Sequence, residues 1–104
     1  NSINVSSDAV IIDAILGTGI KGELKSKELD AIIFINNLNQ PTISIDIPSG
    51  ISADTGEILG IAIKAEKTIT FSNPKVGHLL YPGKSYTGEL IIKEIGIPPP
   101  ARPQ

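Results

Sequence analysis

Apolar positions along this chain fall into short, dense runs separated by breaks rich in glycine and proline. Ala9 to Ile12 is a β-branched run ending on Asp13, the pattern of a buried strand. After a glycine-rich loop the period changes. Leu29, Ile32, Ile33 and Leu38 lie near helical spacing, with Lys25, Lys27 and Glu28 placed to meet water. Ser26 predicts the cap, because its hydroxyl can accept an unpaired amide hydrogen of the first turn. Asn36, Asn37, Asn39 and Gln40-Pro41 predict the stop, since Pro41 forces the residue before it into extended geometry.

Thr42 to Ile47 reads as a second strand, closed by Pro48-Ser49-Gly50. The stretch from Ile51 to Glu66 has no clear period, and Lys67 to Phe71 is a third strand dense in Thr and Ile. Asn73-Pro74 predicts a helix start, with Asn as the cap and Pro at the first helical position, and Pro82 limits that helix to about two turns. Glu89 to Ile95 reads as a fourth strand, and residues 98–104 as a proline-rich tail or linker. Strands alternating with helices predict an α/β fold with a mainly parallel sheet. Such sheets are covered by helices on both faces. Only one full-length helix is visible, so the remaining cover is expected from residues outside this sequence. The first residue is Asn1 and there is no Met, which fits a piece of a longer protein.

Composition removes several functions. There is no Cys, hence no disulfide, thiolate metal site or thiol nucleophile. The single His and the net charge of −2 exclude a His-rich metal cluster and a field that attracts nucleic acid. No apolar run approaches the about 20 residues needed to span a bilayer. A soluble, cytoplasmic protein handling small molecules is the expectation.

Chemistry concentrates at strand ends. Gly17-Thr18-Gly19-Ile20-Lys21-Gly22 fits a G-x-G-x-x-G pattern after a strand, where bare backbone can approach phosphate oxygens. A dinucleotide site would open its helix at those glycines, whereas here the helical pattern starts near Ser26 and Glu23 intervenes. A strand-to-helix turn without a ligand fits the same residues. Asp46-Ile47-Pro48-Ser49-Gly50 places a carboxylate, a rigid turn and a hydroxyl beyond a buried strand, and Asp13 ends the preceding strand in the same sense. Asp13, Asp46 and Ser49 are therefore expected on one rim, where two carboxylates invite a cation or a shared proton. Both Asp could equally cap turns. Gly83-Lys84-Ser85 lacks the glycine spacing and strand of a P-loop, His78 reads as a packing or surface residue, and Asn4-Val5-Ser6 as an idle glycosylation acceptor.

Taken together, Asp13 to Gly19, Asp46 to Gly50, Ala53-Asp54-Thr55-Gly56, Pro74-Lys75-Val76-Gly77-His78, Tyr81-Pro82-Gly83 and Ile95-Gly96-Ile97-Pro98 resemble the NAD(P)HX epimerase family, the YjeF N-terminal domain. The resemblance implies a Rossmann-like three-layer α/β/α fold, present here as its C-terminal portion over residues 1–97. It implies an isomerase that interconverts the R and S epimers of C6-hydrated NADH and NADPH for cofactor repair. Asp13 and Ser49 match positions that help bind a potassium ion. Gly17, Thr18, Gly19, Ile20, Lys21, Gly22 and Glu23 match the stretch that contacts the substrate. Asp46 matches a further substrate contact, and as a rim carboxylate it is the choice for proton transfer. The family's Asn-Gly-Gly-Asp loop, which completes the phosphate and potassium site, is not among these residues, so this piece alone is expected to be inactive. Ile51-Ser52 stands where many members have Leu-Asp. A fused or separate ADP/ATP-dependent NAD(P)HX dehydratase is the implied partner, a homodimer is compatible, and nucleic acid and membrane are not expected. A non-catalytic binding module of the same fold, and a dinucleotide-binding dehydrogenase domain, are the competing readings.

Overall fold

The computed structural model describes residues 9–14 and 26–94. The glycine loop from Gly17 to Glu23, the glycosylation triplet, Ile95 and the tail at 98–104 lie outside them. The elements are β1 (Ile11–Asp13), α1 (Ser26–Leu38), β2 (Thr42–Ile45), β3 (Lys67–Phe71), α2 (Val76–Leu79), α3 (Gly83–Thr87) and β4 (Glu89–Lys93). The strands form one sheet in the order β1-β2-β3-β4, and every pairing is parallel. The α/β architecture expected from the alternation of periods is therefore present.

Helix α1 begins at Ser26 and ends where Asn39 adopts φ 58°, a left-handed conformation that Asn tolerates well. Three differences from the sequence expectation have local causes. Strand β2 stops at Ile45 instead of Ile47, because Asp46 turns to φ 74°. Its amide still donates to Ile69 of β3 at 2.6 Å, while Ile47 folds back to donate to the Ile45 carbonyl at 2.9 Å. Helix α2 starts at Val76, with Lys75 and not Asn73 as the cap. Asn73 is used in a tight turn, where its amide donates to the Phe71 carbonyl after Ser72 at φ 67°. Helix α3 lies beyond Pro82, where the sequence pattern predicts no helix. Its one turn is closed by Thr87, whose hydroxyl donates to the Gly83 carbonyl at 2.9 Å.

The two faces of the sheet differ in chemistry. In register, Asp13 lies beside Ser44, and Ser44 beside Thr68. With Thr42 and Thr70 these make one face, and all five side chains are buried. The opposite face carries Ile12, Ile43, Ile45, Ile69 and Ile91, half-buried or, for Ile12, exposed. The hydroxyl-bearing face can be buried because each group has a specific acceptor. Ser44 donates to Asp13, Thr68 to the Thr87 carbonyl at 2.7 Å, Thr70 to Asp46, and Thr42 to the Gln40 carbonyl. A small apolar cluster of Ile47, Ile51 and Ala62, flanked by Ala53, Ile58 and Tyr86, fixes the long connection after β2. Asn36 ties α1 to that connection, donating to the Ala62 carbonyl at 2.9 Å. Backbone meets backbone closely at Gly50, where φ is 98° and a Cβ would lie 2.0 Å from the Ile61 carbonyl oxygen.

Candidate functional site at the C-terminal ends of the strands

In parallel α/β sheets ligands sit beyond the carboxyl ends of the strands. Asp13 ends β1, and Asp46 and Ser49 follow the end of β2. Asp13 is fully buried, yet its carboxylate is well supplied with donors. Oδ2 accepts from the Ser44 hydroxyl at 2.6 Å and the Ser49 amide at 2.8 Å, and Oδ1 from the Ser49 hydroxyl at 2.6 Å. The Pro48-Ser49-Gly50 turn brings Ser49 back onto β1, and Gly50 allows the close approach to Ile61 that holds this turn down. Asp13 and Ser49 thus present a buried pair of oxygens in direct contact.

Asp46 belongs to a second, adjoining group. Its Oδ1 is 2.7 Å from the Lys75 ammonium, and the Thr70 hydroxyl donates to the same oxygen at 3.1 Å. Lys75 Nζ is also 3.2 Å from Thr70 Oγ1. The side chains of Lys75 and Asp46 keep 28% and 26% of their surface exposed, enough to be reached from solvent. Asp13 and Asp46 therefore share one rim of the sheet, each held by its own partners.

His78 lies beneath the second group, and the residues it touches define its state. Its Nδ1 is 2.8 Å from the Lys75 amide, which can only donate, so Nδ1 accepts. Its Nε2 is 2.6 Å from the Asp46 carbonyl oxygen, which can only accept, so Nε2 carries the hydrogen. The ring is neutral, and it bonds to the backbone of both members of the Asp46–Lys75 pair. Its pKa is lowered from 6.5, chiefly because burial disfavours the cation; the Asp46 carbonyl opposes this and the Lys75 charge adds to it.

Sequence reasoning named Asp13, Asp46 and Ser49 but gave no role to Lys75, Thr70 or His78. One signal was present: Lys75 and His78 stand three apart at a helix start, the spacing at which a side chain reaches back to the capping residue's amide. A recess of about 520 Å³ opens at the other end of the sheet. Asn36, Gln40, Thr42, Lys64 and Tyr86 are among its lining residues, whereas Asp13, Asp46 and Ser49 are not. Among the described residues no cluster of His, Cys, Asp and Glu is arranged as a metal site, and no helix is long and apolar enough to cross a membrane.

Comparison with known proteins places this geometry in a family. A bifunctional NAD(P)H-hydrate repair enzyme Nnr from Pyrobaculum aerophilum is 47% identical over 93 residues, covering 88% of this chain and 18% of that protein. The Nnr enzyme of Thermofilum pendens is 43% identical over 89 residues, covering 86% of this chain and 17% of the relative. An NAD(P)H-hydrate epimerase from Levilactobacillus brevis is 42% identical over 88 residues, covering 85% of this chain and 41% of that enzyme. The chain thus spans less than half the length of each of these relatives. The model of the YjeF-related protein N-terminus matches residues 1–77, from before β1 through the Lys75 cap, and the chain belongs to that family.

Proposed function

We propose that these residues form part of the site of an NAD(P)H-hydrate epimerase, an isomerase acting on C6-hydrated NADH and NADPH. The observation that carries the reading is the pairing of two acidic groups, Asp13 with Ser49 and Asp46 with Lys75, at neighbouring parallel strand ends. The name of the Levilactobacillus brevis relative supports it, and the family match over residues 1–77 spans both groups. Inverting C6 requires its hydroxyl to leave or the ring to open, then to be remade on the other face. Protons must move to and from oxygen, and Asp46 is a carboxylate at the open rim suited to that work.

Asp13 and Ser49 fit a potassium ion in donor type, being oxygen ligands already brought together and buried. They would hold the ion, and its charge would offset that of a substrate diphosphate. The glycine stretch from Gly17 to Glu23 would contact the substrate. A dehydratase that consumes one epimer is the functional partner, fused as in the bifunctional relatives or separate.

The test uses the full-length protein. Purified R epimer of hydrated NADPH is incubated with it, and the S epimer is followed by chromatography. Catalysed approach to the epimer equilibrium supports the assignment. Nucleotide binding with no rate above the spontaneous one would indicate a binding module instead.

A further inference from the structure

We propose that Lys75 is a catalytic residue of this site, the proton donor paired with Asp46, and that His78 is the positioning residue for both. The proposal rests on the epimerase reading. Lys75 is delivered to the rim by an arrangement that is specific at every atom. The N-terminus of α2 sets its backbone, and the His78 ring accepts that backbone's hydrogen while donating to the carbonyl of Asp46. One imidazole thereby fixes the spacing between two residues 29 positions apart in sequence. Asp46 itself is held at φ 74°, a conformation uncommon for a residue with a side chain, so its orientation depends on such support. Thr70 bonds to both partners and completes a triangle of Asp46, Lys75 and Thr70. A surface ion pair of no consequence needs none of this scaffolding.

The chemistry at C6 gives Lys75 a task. The hydroxyl there shares its carbon with the ring nitrogen N1. Lys75 donates a proton to the hydroxyl oxygen, the C6–O bond breaks with its electron pair on oxygen, and water departs. The N1 lone pair forms the N1=C6 double bond of an iminium ion, leaving Lys75 as a neutral amine. When water adds back to C6, the π pair returns to N1 and Asp46 accepts the proton released from the incoming oxygen. Transfer across the 2.7 Å contact from Asp46 to Lys75 then restores the starting pair. Departing and returning oxygens occupy opposite ring faces, so the planar iminium turns about its bond to ribose between the two steps. No proton or electron is gained or lost over the cycle.

The experiment measures epimerisation by the full-length protein and three variants. Lys75→Met should lower kcat roughly 100-fold or more while changing KM by less than about threefold. Lys75→Arg keeps the positive charge and the ion pair but cannot release a proton, so its kcat should stay as low. His78→Asn retains an acceptor near the Lys75 amide and loses the donor to Asp46; it should cost roughly tenfold in kcat and alter the acid limb of the pH profile. Wild-type kcat in Lys75→Arg, or in a folded Lys75→Met, would overturn the proposal. If the wild-type protein shows no epimerisation, the functional reading fails by itself. Lys75 is then judged by the thermal protection NADP+ gives: loss of that protection in Lys75→Met supports contact with the nucleotide, and unchanged protection refutes it.

Discussion

Replacing Asp13 tests whether the first acidic group organises the rim. The buried carboxylate accepts from Ser44 Oγ, Ser49 N and Ser49 Oγ at 2.6–2.8 Å. Hydrogen bonds to a charged group contribute about 1.5–3 kcal/mol each, net of the bonds to water they replace. Three bonds on one carboxylate are coupled and do not add, so the net effect is smaller than three such bonds. Asp13→Ala removes the acceptor and leaves a buried amide and two hydroxyls to find new partners. A buried donor left without its acceptor costs about 1–3 kcal/mol, so with three donors affected and some able to find new partners the expected loss is about 3–5 kcal/mol. Asp13→Asn should cost less, about 1–2 kcal/mol, because its carbonyl can serve Ser44 and the Ser49 amide while its NH2 donates to the Ser49 hydroxyl. Denaturant unfolding of the full-length protein at neutral pH measures both. If the group also holds potassium, raising potassium against choline at constant ionic strength should raise the wild-type midpoint, and Asp13→Asn should blunt that response. A loss below about 1 kcal/mol for Asp13→Ala would refute the structural argument. An undiminished potassium response in Asp13→Asn would refute the cation assignment.

Asp46→Asn is expected to lower kcat by about 100-fold; a raised KM with intact kcat would make Asp46 an anchor and not a proton acceptor. Gly50→Ala forces a Cβ to 2.0 Å from the Ile61 carbonyl at a φ of 98° and should cost about 3 kcal/mol or more, read from the unfolding midpoint. His78 makes stability depend on pH. Its neutral form is favoured in the folded state, so the unfolded chain binds more protons below 6.5, the ordinary value. Its contribution is complete above that pH and is lost as pH falls from 6.5 to the depressed folded value. His78→Gln should flatten that segment of the stability curve, and an unchanged slope would show that other groups produce it.

The strands were legible because Val, Ile and Thr gather in runs of strand length between breakers. Helix α1 was legible because its apolar spacing and its Ser26 boundary agree. What escaped depends on tertiary hydrogen bonds. The turn at Asp46 that shortens β2 leaves no mark in the apolar pattern, since Ile47 continues the alternation of Thr42 to Ile45. Asn73-Pro74 looks like a better helix start than Lys75, but the His78 ring rewards Lys75 as cap in a way local propensity cannot express. The same bond explains why Lys75 and Thr70 were missed at the rim. Asp13, Asp46 and Ser49 sit in recognisable strand-end motifs, whereas Lys75 and Thr70 gain their place only when β3 and α2 fold against β2. His78, read as packing or surface, is buried and joins the two.

The hydroxyl face of the sheet has a further consequence, for the choice of strand alignment. Thr42-Ile-Ser-Ile45 and Lys67-Thr-Ile-Thr-Phe71 are nearly repetitive, so sliding one past the other by two residues would preserve which side chains point inward. The isoleucine side would barely register the error. The opposite side would, because Thr70 would lose Asp46 and, where β2 is the strand displaced, Ser44 would lose Asp13, leaving polar atoms buried without partners. The bonds that place the two carboxylates therefore also discriminate against the slipped sheet. In this protein a misaligned chain and a disassembled rim are the same defect.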